Sequence, residues 1–465
     1  MTALPPGFEV VLDRRTRQLD DSTLFGAGSG RLVRLSTSGR AALAELRSGP
    51  VRSARGGQLG RRLIDAGLAH PRPPRDAGPA DVTVIIPVRD RPSGLAACLA
   101  SLGSARAVVV VDDASEDPSA IAAVCAEHGA SLIRRDANGG PGVARNTGLD
   151  EVSTQLVAFV DSDCVPGPDW IDLLTPHFAD PSVAAVAPRI VGTDGDTPLG
   201  RYTAACGALD LGTSPANVAP STKVAYVPTA ALLVRRDALL DVAVDGAVFD
   251  PELRVGEDVD LVWRLHSSGW RVRYDPSVEV PHREPATWRE LLARRHRYGA
   301  SAAQLGRRHP DFIAPVVVHP WAAVAAVGLL DRRPMLAGIG LTLSALRIGR
   351  RIRRLGLPRA EVARAAAGTA GQAGSAIGRY ATQVAGPALV ATALVSPRRR
   401  AAAAALLLGP PLASWLTLRP RLDPARFAIA RIADEIAYGS GVLVGSVAAR
   451  TPVAIRPKFI HDLAI

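Results

Sequence analysis

Between residues 82 and 163 one pattern recurs: a short run of Val, Ile and Leu stops at polar or acidic residues, and a helix-forming stretch follows. The apolar runs are Val82–Ile86, Ala107–Val111, Ser131–Ile133 and Leu156–Val160, and the helical stretches include Leu95–Leu102 and Ser119–His128. Unbroken apolar runs of this length suit strands buried on both faces. Strands that alternate with helices form parallel sheets with helices on either side, so the pattern predicts an α/β, Rossmann-like, doubly wound core. Such sheets bind ligands outside the carboxyl ends of their strands. This sequence places its acidic residues there.

The flanks differ from this core. In residues 1–70, Phe8–Leu12 and Arg31–Leu35 read as strands; Ser36-Thr37-Ser38 caps a helix running to Leu46, and Leu59–Ala66 reads as another helix. Residues 71–80, with Pro71, Pro73, Pro74, Gly78 and Pro79, read as a linker. The core then spans residues 81–300. Residues 301–465 form an Ala-, Leu- and Arg-rich helical region with apolar runs at Ile313–Leu330, Met335–Leu346, Val384–Val395 and Ala401–Leu418. These runs are short or proline-broken against the roughly 20 residues a bilayer span needs. Arg clusters flank them, so buried helices and helices lying at a membrane surface both fit.

Composition narrows the functional classes. With 465 residues, 47% hydrophobic and 21% charged, the chain is not intrinsically disordered. The net charge of +11 raises the question of nucleic acid, but from Arg283 onward 27 basic residues face 9 acidic ones, which leaves the first 282 residues acidic. Aromatics are 4%, too few to offer stacking platforms to bases, so no nucleic-acid partner is expected. Cys98, Cys125, Cys164 and Cys206 contain no C-x-x-C pair, which predicts neither a zinc site nor a redox dithiol. Four cysteines so spaced and an N-terminus without a signal-like apolar stretch predict a cytoplasmic protein, attached at most to the inner face of the cell membrane.

The chemistry-bearing residues cluster at strand ends and helix starts. Pro87, Arg89 and Asp90 follow the first strand, Asp112 and Asp113 the second, and Asp161-Ser162-Asp163 the fourth. A glycine-rich loop, Asn138–Gly142, leads into Arg145, Asn146 and Gly148. Strand alternation points Asp161 and Asp163 the same way, and paired carboxylates suit Mg²⁺ or Mn²⁺, which keep sites for phosphate oxygens. A glycine-rich loop opening a helix offers N–H groups to anions. Downstream stand Glu257-Asp258 and then His282, a residue type that also ligates manganese. Each feature alone has an ordinary structural use: a turn, a connector, a helix start rich in carboxylates.

Taken in order, these motifs resemble the GT-A glycosyltransferases of family 2, over roughly residues 81–300. The resemblance implies a GT-A core, a nucleotide-diphospho-sugar donor, most often a UDP-sugar, and inversion at the anomeric carbon. It implies that Pro87, Arg89, Asp90, Asp112, Asp113, Arg145 and Asn146 bind the nucleotide sugar. Asp161, Asp163 and His282 would hold a divalent metal, Mn²⁺ or Mg²⁺. Asp258 would be the general base, with Glu257 supporting it. The stretch Arg294–Tyr298 departs from the family's Q-x-x-R-W element at both ends, which leaves Arg297 as the diphosphate contact. Trp263, Trp270 and Trp288 are candidates to stack on an acceptor ring.

The N-terminal unit, above all Leu32–Leu46, is similar to that of the mycofactocin-system glycosyltransferases of actinobacteria, and resembles small winged-helix-like α+β peptide-recognition domains. That narrower resemblance implies transfer of hexose, glucose in β-1,4-linked chains, to a small peptide-derived redox cofactor precursor. Two other readings stay open: a cell-wall or glycolipid transferase with a lipid-linked acceptor, and a sugar-nucleotide-binding module without catalysis.

Overall fold

The apolar runs of the core come together in a single eight-stranded sheet. The computed structural model describes residues 2–459 apart from 27, 75–80, 104–105, 194, 221, 314 and 355–358; most of the expected linker lies outside the described residues. The strands of this sheet are β1 (Val82–Val88), β2 (Ala107–Asp112), β3 (Ser131–Arg134), β4 (Leu156–Val160), β5 (Val183–Gly192), β6 (Ala216–Val218), β7 (Ala231–Arg235) and β8 (Arg271–His282). Their spatial order is β6-β8-β5-β7-β4-β1-β2-β3. β3, β2, β1 and β4 run parallel, as expected, and β8 is parallel to β5. β7 and β6 run antiparallel to their neighbours, so the sheet is mixed. The four strands read from the sequence form the parallel half; the run at Ala231–Arg235, which was not among them, is as apolar as any of them, and composition carries no direction.

Three helices connect the parallel half: α1 (Pro92–Leu102), α2 (Pro118–His128) and α3 (Pro141–Asp150). Each begins with proline, whose missing N–H and fixed φ suit the first helical position. β1 and β4 are buried along their whole length, and α1 and α2 turn Leu95, Cys98, Leu99, Ile121 and Cys125 onto the sheet. α3 lies closest: a Cβ at Gly148 would stand 2.6 Å from Ile85. A fourth helix, α4 (Glu257–Ser267), starts after Gly256, whose φ of +88° places it in the left-handed region.

Contacts divide the chain into one unit of Met1–Thr193 with Cys206–Glu284 and another of Asp194–Ala205 with Pro285–Ala464. The first contains the N-terminal α+β structure. There Ser36 caps the helix Thr37–Ser48 as expected, accepting from the Gly39 amide at 3.2 Å. The second helix runs Ala54–Asp65. The strand Thr23–Gly26 pairs with Thr16–Asp20 on one side and Arg31–Arg34 on the other, and the sequence pattern located only the last of the three.

The second unit is helical: Trp288–Arg308, Pro320–Leu330, Pro334–Arg354, Arg359–Val395, Arg400–Leu418 and Pro424–Ala448 are its longer elements. Trp288–Arg308 and Pro424–Ala448 approach until backbones touch, since a Cβ at Gly441 would lie 1.9 Å from the His296 carbonyl oxygen. Among the described residues one helix, Arg400–Leu418, is long and apolar enough to cross a membrane. Met335, Leu394, Val395, Leu416, Ile429 and Val447 are exposed on this unit.

Candidate active site

The loops at the carboxyl ends of β1, β2, β4 and β8 bring the acidic motifs together. Two backbone corners start the arrangement. Asp90 and Ala114 have φ of 55° and 60°, left-handed values that cost a side-chain-bearing residue about 1 kcal/mol. They interlock: the Asp90 amide donates to Ser115 Oγ at 2.9 Å, and Asp90 Oδ1 accepts from the Glu116 amide at 2.7 Å. Pro87 is buried on β1 opposite Val111, and Arg89 pairs with Asp90 at 3.2 Å.

Asp112 and Asp113 are both buried and both engaged. Asp112 accepts from the Ser115 amide at 2.9 Å and from Arg134. Asp113 takes the Gly139 amide at 3.0 Å, the Gly140 amide at 2.7 Å and Arg135. Thus Asp113 fastens the glycine-rich loop, where Gly140 adopts φ +88°. Asn146 also has a full set of partners: its amide donates to the Phe249 carbonyl at 2.7 Å and accepts from the Phe249 N–H at 2.9 Å.

Arg145 occupies the centre. It is buried, its Nη2 lies 2.6 Å from Asp161 Oδ1, and its Nη1 lies 2.8 Å from Glu257 Oε1. Its guanidinium also covers the Phe249 ring at 5.5 Å. Burial disfavours its charge, but the carboxylates of Asp161 and Glu257 outweigh that and raise its pKa. One cation thereby ties the Asp-Ser-Asp tip to the start of α4.

Asp163 meets His282 although 119 residues separate them. The backbones around them pair: Val165 N–H donates to Pro281 at 2.9 Å and Arg283 N–H to Asp163 at 2.9 Å. His282 Nε2 is then 3.5 Å from Asp163 Oδ1, and its Nδ1 is 3.3 Å from Glu284. Arg91 holds the other Asp163 oxygen. Two carboxylates and an imidazole make a donor set whose chemistry suits a hard divalent cation. Asp163 and His282 are side by side, whereas Asp161 turns toward Arg145. Among the described residues no three His, Cys, Asp or Glu side chains close on one point.

Glu257 and Asp258 open α4. Burial raises the pKa of Glu257 against the pull of Arg145. Burial, and then the neighbouring Glu257 charge, push Asp258 up to about 7. Its Oδ1 accepts from the Val259 amide at 2.8 Å. A carboxyl poised near neutrality suits a proton acceptor.

The remaining candidates are Arg297 and three tryptophans. Arg297 is exposed on the helix Trp288–Arg308 of the second unit, and Trp288 is exposed at the start of that helix. Trp263 is core, its Nε1 donating to the Ala225 carbonyl at 2.9 Å, and Trp270 donates to Asp241 at 2.9 Å. Arg91, Arg134, Arg135 and Phe249 were not legible as site residues, because their partners lie 22 to 104 positions away. The one available signal was the excess of acidic groups, each of which needed a counter-charge once buried.

Residues 83–242 match the family described as glycosyl transferase family 2. The chain is 38% identical to the pre-mycofactocin glycosyltransferase of Mycobacterium tuberculosis, over 98% of this chain and 99% of that one. It is 28% identical to glycosyltransferase AglE of Haloferax volcanii, over 54% of this chain and 82% of that one. Among solved structures, mannosyltransferase PcManGT from Pyrobaculum calidifontis, in complex with GDP-Man and Mn²⁺, is 20% identical, with a TM-score of 0.45 over 80% of this chain and 89% of that one. The near end-to-end relationship to the mycobacterial protein, with the motifs of the mixed sheet intact, makes this chain a GT-A glycosyltransferase of family 2 that belongs with the pre-mycofactocin glycosyltransferases.

Proposed function

We propose that the enzyme moves a hexose, glucose in β-1,4 linkage, from a UDP-sugar to a small peptide-derived redox cofactor precursor, by single displacement with inversion. The observation that carries this reading is the Arg145 bridge. It ties the carboxylate at the proposed metal and diphosphate side to the carboxyl pair at the proposed acceptor side through one guanidinium. In the reaction, the acceptor hydroxyl oxygen bonds to the anomeric carbon as the bond to the diphosphate oxygen breaks. The hydroxyl proton passes to Asp258, whose raised pKa suits the task. Glu257, held by Arg145, orients the acceptor side. Asp113 and Gly140 set the loop that approaches the nucleotide, with Asp112, Arg89 and Asp90 at its rim. Asp161, Asp163 and His282 would hold Mn²⁺ or Mg²⁺, which when bound neutralises charge on the leaving diphosphate. Arg297 is proposed as a further diphosphate contact.

The exposed apolar residues of the helical unit support a place at the inner face of the cell membrane, where the flanking arginines meet anionic headgroups. The same feature favours a lipid-linked acceptor as the second reading. The two separate in one assay. Purified protein, Mn²⁺ and a panel of UDP- and GDP-sugars are incubated with a small-molecule extract and with a lipid extract, and hexose gain is followed by mass spectrometry. Hexose ladders on a polar small molecule support the proposal; labelled lipid alone overturns its acceptor. Transfer by Asp258→Asn equal to the parent's would remove Asp258 from its role.

A further inference from the structure

Where the N-terminal helix Ala54–Asp65 meets β8, the contact is made by charged side chains. Arg61 and Asp65 are four residues apart on one helix face, and Arg271 and Arg273 are two apart on one strand face. Asp65 accepts from both ends of Arg271, at 3.1 and 2.8 Å. Arg61 pairs with Asp180 at 2.5 Å and donates from Nε to the Thr2 carbonyl at 3.2 Å.

Arg273 has no such partner among the described residues. It is 2% exposed, and among those residues its Nε, Nη1 and Nη2 all lack a hydrogen-bond partner. Nη1 of Arg61, a residue 1% exposed, lacks one too. So does Oδ1 of Asn217, which stands directly opposite Arg273 in the β6–β8 register. Three guanidiniums thus face two carboxylates, leaving one positive charge over. Arg235, also near Asp180, donates to the Phe178 and Val183 carbonyls and has Asp237 as its own carboxylate, so it leaves that count unchanged. Burial, and then Arg61, pull the Arg273 pKa down to about 10, so the charge persists at neutral pH. A buried, unpaired charge is among the costliest features a folded protein can hold, and four guanidinium nitrogens without acceptors call for one.

We propose that this junction holds a small inorganic anion, chloride-sized and singly charged, bound by the guanidinium of Arg273 and by Nη1 of Arg61. The near-complete enclosure of both arginines favours a bare ion over one with an organic tail. Turned over, the Asn217 amide adds an N–H donor. The bound anion fastens the N-terminal helix to the core sheet, so its occupancy is linked to the docking of the N-terminal unit.

The test uses the full chain in gluconate buffer at constant ionic strength, with chloride or bromide replacing gluconate. The expected result is a saturable rise in Tm of about 3–5 °C. The rise is lost in Arg273→Met and kept in Arg72→Ala, which changes an exposed arginine of the same unit. Crystals soaked in bromide should show an anomalous peak within hydrogen-bond reach of Arg273, and this reads the parent protein even if Arg273→Met fails to fold. A Tm indifferent to halide, with only water at Arg273, overturns the proposal.

Discussion

Nη1 of Arg145 lies 2.8 Å from Oε1 of Glu257, and both side chains are almost fully buried. The pair joins a helix that begins at the glycine-rich loop to a helix that begins at the acidic pair. Arg145→Met leaves Glu257 buried without its cation, at a cost of about 3–5 kcal/mol. Arg145→Lys keeps the charge but not the fork, and a single ammonium does not serve Asp161 and Glu257 together. The expected outcome is a folded Arg145→Lys enzyme with transfer reduced about 100-fold or more, measured with a UDP-sugar in steady state. Near-parental transfer by Arg145→Lys would show that the fork is dispensable.

Asp258 links activity to pH in one direction and stability in the other. Burial, and then Glu257, raise its pKa from 3.8 to about 7. A carboxyl with a raised folded pKa binds its proton more tightly folded than unfolded. Its stabilising contribution is therefore complete below about pH 4 and is lost as pH rises through about 7. A general base needs the opposite, ionised form. Transfer should climb as pH passes through 7, while Asp258→Asn should lose transfer yet gain about 1–3 kcal/mol at pH 8, the full shift being discounted for partial exposure. Thermal unfolding of both proteins at pH 5 and pH 8 checks this; the gain should shrink at the lower pH.

How much of this was legible follows the distance over which each feature is written. β4, its following Asp161 and Asp163, and the Ser36 cap are local, and the sequence pattern locates them to within a residue. The antiparallel course of β7 is not local, because nothing in Ala231–Arg235 encodes its direction. Asp112, Asp113 and Asn146 were readable as polar residues in the right places. That Asp113 closes on Gly139 and Gly140, and Asn146 on the Phe249 backbone, depends on chain segments up to 103 residues away. Arg91 and Arg135 stayed hidden for the same reason: an arginine in a chain with 55 basic residues carries no mark of the carboxylate it will meet.

The metal reading has its own consequence. Asp163 and His282 lie 3.5 Å apart, held there by backbone pairing of residues 163–165 with residues 281–283. Chelation with EDTA should abolish transfer and Mn²⁺ should restore it. His282→Gln removes the ring nitrogen while the backbone pairing that aligns the loops can persist. It should raise the Mn²⁺ concentration needed for half-maximal activity by about tenfold or more, with far-UV circular dichroism unchanged. Full activity in EDTA would count against any metal requirement.

Ala114 offers a test in which only the backbone is at issue. Its φ of 60° lies in a region where Cβ crowds the following carbonyl, and the corner it forms presents Ser115 to Asp90 and Asp112. Glycine removes the clash but widens the unfolded ensemble, and at positive φ the first effect wins. Ala114→Gly should therefore stabilise the protein by about 0.5–1 kcal/mol, where the same change inside a helix would destabilise it by as much. Ala114→Val should act oppositely, since a β-branched residue fits this region worst, and should lower nucleotide-sugar affinity by displacing the loop that carries Asp112 and Asp113. Urea unfolding and isothermal titration with a UDP-sugar read the two effects separately. A destabilised Ala114→Gly would mean that the corner relaxes to negative φ in solution.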